Sequence, residues 1–153
     1  SNNALKEYFK NLKDGNDLKV NKLLSLTDNQ KVFTWNAAES QWKQDENGNM
    51  RVCFQMKEKD YQARTFEDNF FAINRDFLHN NKEKIRGLDE GKLNDFLDPT
   101  KEMDEYELAE NGIESKATFA VEIIFNSKKD GDKEFYGWNI PKYIKDGLLW
   151  IRK

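Results

Sequence analysis

At 153 residues the chain can bury about 68–70% of its unfolded surface in one domain, and eleven Phe, five Tyr and four Trp supply a core, which excludes wholesale disorder. A formal charge of −3 excludes the broad basic surface of a generic phosphate-backbone binder, although 35% charged residues leave room for a local basic strip. Cys53 is the only cysteine, so an intrachain disulfide and a cysteine zinc cluster are excluded and a reducing cytoplasm fits; no apolar run approaches the ~20 residues that cross a bilayer, no signal-peptide core opens the chain, and no membrane partner is expected.

Ser1-Asn2-Asn3-Ala4 lacks an initiator methionine, as a cloning scar or the middle of a longer natural chain would. Leu5, Tyr8, Phe9 and Leu12 share one face of a short helix over 4–12, stopped by Asp14-Gly15-Asn16-Asp17. Residues 18–26 allow another helical turn or two. Val32-Phe33-Thr34-Trp35 has strand propensity, and a polar connection over 36–49 closes on the turn signal Asn47-Gly48. Residues 51–56 read as a mostly buried strand.

Thr65 opens the clearest helix, because its hydroxyl can cap the amide of Asp68 three residues on. Phe66, Phe70, Ile73 and Phe77 recur at helical spacing up to about residue 80, with Phe71 and Leu78 widening the stripe. Residues 82–112 are charged and broken by Gly87, Gly91 and Pro99, which suits short helices and loops around scattered apolar anchors. Ser115 can cap a second apolar helix over 116–125, with Ala117, Ala120, Val121 and Ile124 on one face and Phe119 and Ile123 on another, a pattern that predicts burial on several sides. A polar turn over 126–134 precedes a last helix from about Pro141, with Ile144, Leu148 and Ile151 expected inward.

Glu67 and Asp68 fall in the first turn of the helix that Thr65 caps, where the macrodipole favours negative charge by about 0.3–1 kcal/mol. Capping alone explains them; a carboxylate so anchored is also placed to bind Mg²⁺ or Mn²⁺, hard ions that take oxygen ligands. Lys116 opens its helix against the same dipole. Either it snorkels to solvent, or a phosphate between its ammonium and the free amides makes an anion site. Arg51, Lys57, Lys59 and Arg64 with Tyr61 form a basic stretch that could track a nucleic-acid backbone, or stay solvated. His79, the only histidine, lacks the partners of a catalytic dyad. Asp130-x-Asp132 reads as a flexible turn, and Glu102-Met103-Asp104-Glu105 as a solvated helical face. No glycine-rich phosphate loop is present.

Three blocks carry a resemblance. They are Ser1-Asn2-Asn3-Ala4-Leu5-Lys6; Arg51 to Gln55 with Tyr61-x-Ala63-Arg64-Thr65-Phe66-Glu67-Asp68; and Lys116-Ala117-x-Phe119-Ala120 with Pro141-x-Tyr143-Ile144-Lys145-x-Gly147-Leu148-x-Trp150. In this order they resemble the C-terminal part of the OLD-family ATP-dependent endonucleases, in which an ATPase domain precedes a TOPRIM nuclease domain. The resemblance implies a DNA nuclease using two divalent cations to activate water and stabilise the leaving oxygen. Glu67 would be a metal ligand or an orienter of metal-bound water, with Asp68 as second choice; Lys116 would neutralise charge on the scissile phosphate, and Arg64 would hold the DNA backbone or fix Glu67, with Arg51 of the basic stretch as a further backbone contact. Thr65 and Asn69 stand for the family's serine and alanine, and Thr118 for an acid. The family's glutamate and Asp-x-Asp motifs would lie upstream of Ser1, as would the ATP site, so this chain alone is expected not to cleave DNA.

These observations predict one α+β domain, a small sheet packed by several helices, forming the C-terminal portion of a TOPRIM-type region and partnered by DNA and the upstream portion of the same protein, with a homodimer left open. The competing readings are a non-catalytic structural or protein-interaction module, which would expose a large apolar patch, and a DNA-binding module without chemistry.

Overall fold

A computed structural model describes residues 22, 24–130 and 133–152; the helix expected over 4–12, most of the turns expected over 18–26, and the Ser1–Lys6 block lie outside them. The fold is mixed α+β, and the chain divides into two compact units, residues 1–54 with 146–153, and residues 55–145. Among the described residues no helix is long and apolar enough to cross a membrane.

In the first unit a 3-10 turn, Asn29–Lys31, leads into β1 (Val32–Asn36), which lies between β2 (Gln41–Gln44) and β3 (Met50–Arg51) in an antiparallel sheet. The polar connection expected over 36–49 therefore contains a strand: Trp42 pairs with Trp35 and Gln41 with Asn36. Their rings meet edge to face at 5.4 Å, a contact that offsets the polar composition of the strand. Asn47-Gly48 does turn the chain, and Gly48 is required because a Cβ there would collide with the Phe33 carbonyl. The strand expected over 51–56 shrinks to Met50–Arg51. Val52 and Phe54 still pack on the fully buried Phe33, so their pattern marks burial and not ladder pairing.

The second unit carries α1 (Phe66–Ile73), α2 (Arg75–Asn81), α3 (Glu90–Leu97), α4 (Glu105–Asn111) and α5 (Lys116–Phe125), followed by the hairpin β4 (Lys128–Asp130) and β5 (Lys133–Tyr136). The single helix expected to about residue 80 is two, broken at Asn74. That side chain bonds the Phe70 and Asn139 carbonyls at 3.0 Å each and accepts the Asn139 amide, an alternative that competes with helix continuation. Asp89 and Asp104 cap α3 and α4 through the amides of Lys92 and Glu107. Asp104 thus starts a helix and is no mere member of a solvated face.

One apolar core built from α1 to α5 includes Phe70, Phe71, Phe96, Leu108, Phe119 and Ile123. It buries only the Phe119 and Ile123 side of α5. Val121, Ile124 and Phe125 are exposed, the last at 77%, so the expected burial on several sides is corrected. α6 (Lys142–Ile151) follows the buried Pro141, and the division between units falls inside it, after Lys145. Ile144 is half-buried, but Leu148 and Ile151 are exposed rather than inward.

Candidate functional site

The site is assembled in the second unit by the starts of α1 and α5. At α1 the capping box is complete: the Thr65 hydroxyl accepts the Asp68 amide at 3.2 Å, and the Asp68 carboxylate accepts the Thr65 amide at 2.8 Å. Asp68 is fully buried and does more than cap. Its Oδ1 also takes the Thr65 hydroxyl at 3.0 Å, while Oδ2 takes the Arg64 amide at 2.9 Å and the Tyr61 hydroxyl at 3.1 Å. Four donors fill the roughly four lone-pair positions of a carboxylate. No oxygen of Asp68 is left for a cation. Burial, followed by the charge and hydrogen bond of Asp68, pushes the Tyr61 phenol well above its ordinary pKa.

Glu67, next in the chain, faces elsewhere. Its Oε1 lies 2.6 Å from Lys116 Nζ, so the structure joins the two residues that the sequence placed 49 positions apart, counted from their numbers. The register explains the meeting. Phe70 lies three residues after Glu67 and Phe119 three after Lys116, so each sits on the same helix face as its charged neighbour. The two rings meet edge to face at 5.9 Å and 86°, which sets the two helix starts side by side. Gly87 positions the second start: its carbonyl accepts the amides of Glu114 and Ser115 just ahead of α5.

The two partners are unequally held. Glu67 is 18% exposed at its side chain and Lys116 74%. Burial raises the Glu67 carboxyl, but the Lys116 hydrogen bond, its own amide, the Lys116 charge and the Thr65 hydroxyl together keep it below the ordinary value. The hydrogen bond and charge of Glu67 raise the Lys116 ammonium. Nearby, burial and then the charges of Glu67 and Asp68 raise the Tyr143 phenol.

The basic stretch is broken up. The Arg64 guanidinium stacks over the Tyr106 ring of α4 at 4.1 Å. Lys57 pairs with Asp60 at 3.2 Å, and Lys59 donates to the Ile73 carbonyl at 3.1 Å. Tyr61 is turned onto Asp68. Arg51, in the first unit, pairs with Asp28 at 3.0 Å and is 14% exposed, with its buried Nε left without a partner among the described residues. His79 is exposed at the end of α2. Asp130 ends β4, and Asp132 lies outside the described residues.

A divalent cation is tested by its donors. With Asp68 saturated, Glu67 is the one acid of the pair with oxygen chemistry to offer, and it already holds an ammonium. Among the described residues no three His, Cys, Asp or Glu are grouped to hold a metal ion. The residues present do not by themselves form the two-cation centre that the resemblance implies.

The sequence did not disclose the cavity beside the pair. It measures about 370 Å³, within the range of small-ligand sites, and Phe66, Phe70, Phe119 and Trp138 wall it. Ala120, Ile123 and Ile124 complete the lining, and Glu67 and Lys116 lie in it too. Phe66, expected in the core stripe, is 41% exposed here. Trp138 is oriented by its Nε1–H, which donates to Ser127 at 2.8 Å. Helical spacing groups Phe66 with Phe70, but cannot tell a core ring from a pocket wall. Compared with protein-family models, curated proteins and solved structures, the chain finds no match.

Proposed function

We propose that this chain is the C-terminal segment of a divalent-metal-dependent DNA endonuclease linked to an ATPase, supplying part of a phosphodiester-cleaving site. One observation carries the reading: a largely enclosed acid and an exposed ammonium meet at 2.6 Å where two helices begin. Lys116 is free enough to rotate from Glu67 onto a phosphate oxygen, where its charge would offset that of a pentacovalent phosphoryl group. Glu67, 18% exposed at its side chain against 74% for Lys116, is the more enclosed partner.

Mg²⁺ or Mn²⁺ would arrive with carboxylates that the described residues do not supply, and ATP would bind upstream in the same protein. Asp68 supports the site by holding the α1 cap. Arg64, exposed above Tyr106, would meet the DNA backbone, while the ion-paired Arg51 would do so less readily. The lone Cys53 suits a protein working in the cytoplasm.

The test joins the chain to its upstream portion and measures Mn²⁺-dependent plasmid nicking. Glu67→Ala and Lys116→Ala should each slow nicking by about 100-fold or more; two unchanged rates would overturn the assignment. A second reading, a non-catalytic interaction module, draws support from the exposed Val121, Ile124 and Phe125 on α5.

A further inference from the structure

We infer that the aromatic-walled cavity beside Lys116 receives one unpaired base of the DNA strand whose phosphate Lys116 holds; this rests on the endonuclease reading and adds to it a substrate class, DNA that is single-stranded or locally unstacked. Three features argue for a nucleotide. The walls are rings, and at about 370 Å³ the cavity is of small-ligand size. The pocket is not sealed: Phe66 and Ile124 are 41% and 49% exposed, so a planar group can enter from solvent. Finally, among the described residues its one cation is Lys116, whose ammonium is mostly exposed, so a single ligand carrying both a planar ring and an anion can be held.

A nucleotide unites those two groups covalently. Rings stack on any base because every base has a π-face, and the apolar lining offers few hydrogen-bonding groups to read a base edge. The pocket therefore selects for an accessible base, not for a sequence. A duplex would have to unstack that base first, at a cost of a few kcal/mol that a mismatch, nick or single strand reduces.

The ion pair is the resting state of the phosphate site. Glu67 holds Lys116 until a phosphate competes, and the competing phosphate brings its base to the pocket mouth.

The experiment uses the 153-residue chain and a single strand of about 12 nucleotides carrying one 2-aminopurine, with an abasic strand as control. Binding should change the 2-aminopurine fluorescence, and the abasic strand should bind about tenfold more weakly. Ala120→Phe fills the pocket from an exposed position and should weaken the intact strand about tenfold without affecting the abasic one. Lys116→Ala should weaken both strands and lower the salt slope by about 0.7, the share of one phosphate on a single strand. Circular dichroism confirms that Ala120→Phe stays folded, and Phe66→Ala repeats the comparison by removing a wall instead of adding one.

Equal binding of intact and abasic strands, or no effect of either pocket variant, overturns the inference. If nicking by the joined protein still requires Lys116, the endonuclease reading survives that failure. If a phenylalanine-bearing peptide binds the pocket and Ala120→Phe blocks the peptide but not the DNA, the surface docks a protein and the inference is likewise overturned.

Discussion

Removing the Asp68 carboxylate would strand two backbone amides, at Arg64 and Thr65, together with the Tyr61 and Thr65 hydroxyls, all in one buried turn. Asp68→Ala should therefore cost about 3 kcal/mol, read as a lower urea midpoint, because each buried donor left unpaired costs about 1–3 kcal/mol and some of these regain water. Glu67→Gln should shift that midpoint very little, since its partner is exposed and such pairs contribute about 0–1 kcal/mol. Equal midpoints for Asp68→Ala and the parent chain would refute the structural role assigned to Asp68. The Glu67–Lys116 pair has its own pH signature. A lowered Glu67 contributes stability above its ordinary pKa of 4.5 that disappears as pH falls through the lowered folded value. A raised Lys116 contributes stability below its ordinary 10.5 that disappears as pH rises through the raised folded value. The melting-temperature difference between the parent chain and Lys116→Ala should thus stay constant between those limits and shrink below pH 4.5. A difference that persists into strong acid would show that Lys116 stabilises by packing instead. Arg64 and Arg51 differ at this scale too, one stacked in the open and the other paired and nearly enclosed.

Helix starts organise the second unit. Thr65, Asp89, Asp104 and Ser115 each accept the amide three residues on, so four helices begin where a short polar side chain precedes them. That rule is local, which is why the beginnings of α1 and α5 were legible at Thr65 and Ser115. The end of α1 was not, because Asn74 breaks the helix through a partner 65 residues away, Asn139. Gly87 shows the same dependence on distant chain. Its φ of +85° and the 2.6 Å separation between a would-be Cβ and the Phe119 amide nitrogen leave room for glycine alone. Gly87→Ala should lower stability by about 2 kcal/mol or more. It should also shift the start of α5, so DNA binding through Lys116 should fall more than in a variant of equal stability elsewhere in the core. If binding and stability fall in the proportion seen for such a variant, Gly87 does not position Lys116.

Over the whole molecule, the second unit holds the aromatic core, the ion pair and the cavity, while the first holds a three-stranded sheet around Phe33. No composition shift marks the boundary after Phe54, so the sequence suggested a single domain. What the sequence by itself determined was the mixed class, the helix starts near Thr65, Ser115 and Pro141, and Glu67 and Lys116 as the candidate pair, because capping and apolar spacing act over three or four positions. Only the tertiary structure decided that Glu67 and Lys116 touch, that Asp68 is saturated, and that Phe66 faces a cavity instead of the core. The ion pair and the cavity depend on Phe70 meeting Phe119, a contact between distant segments whose partner no local spacing can identify, whereas Asp68 is filled by the folded turn of residues 61–65 just ahead of α1.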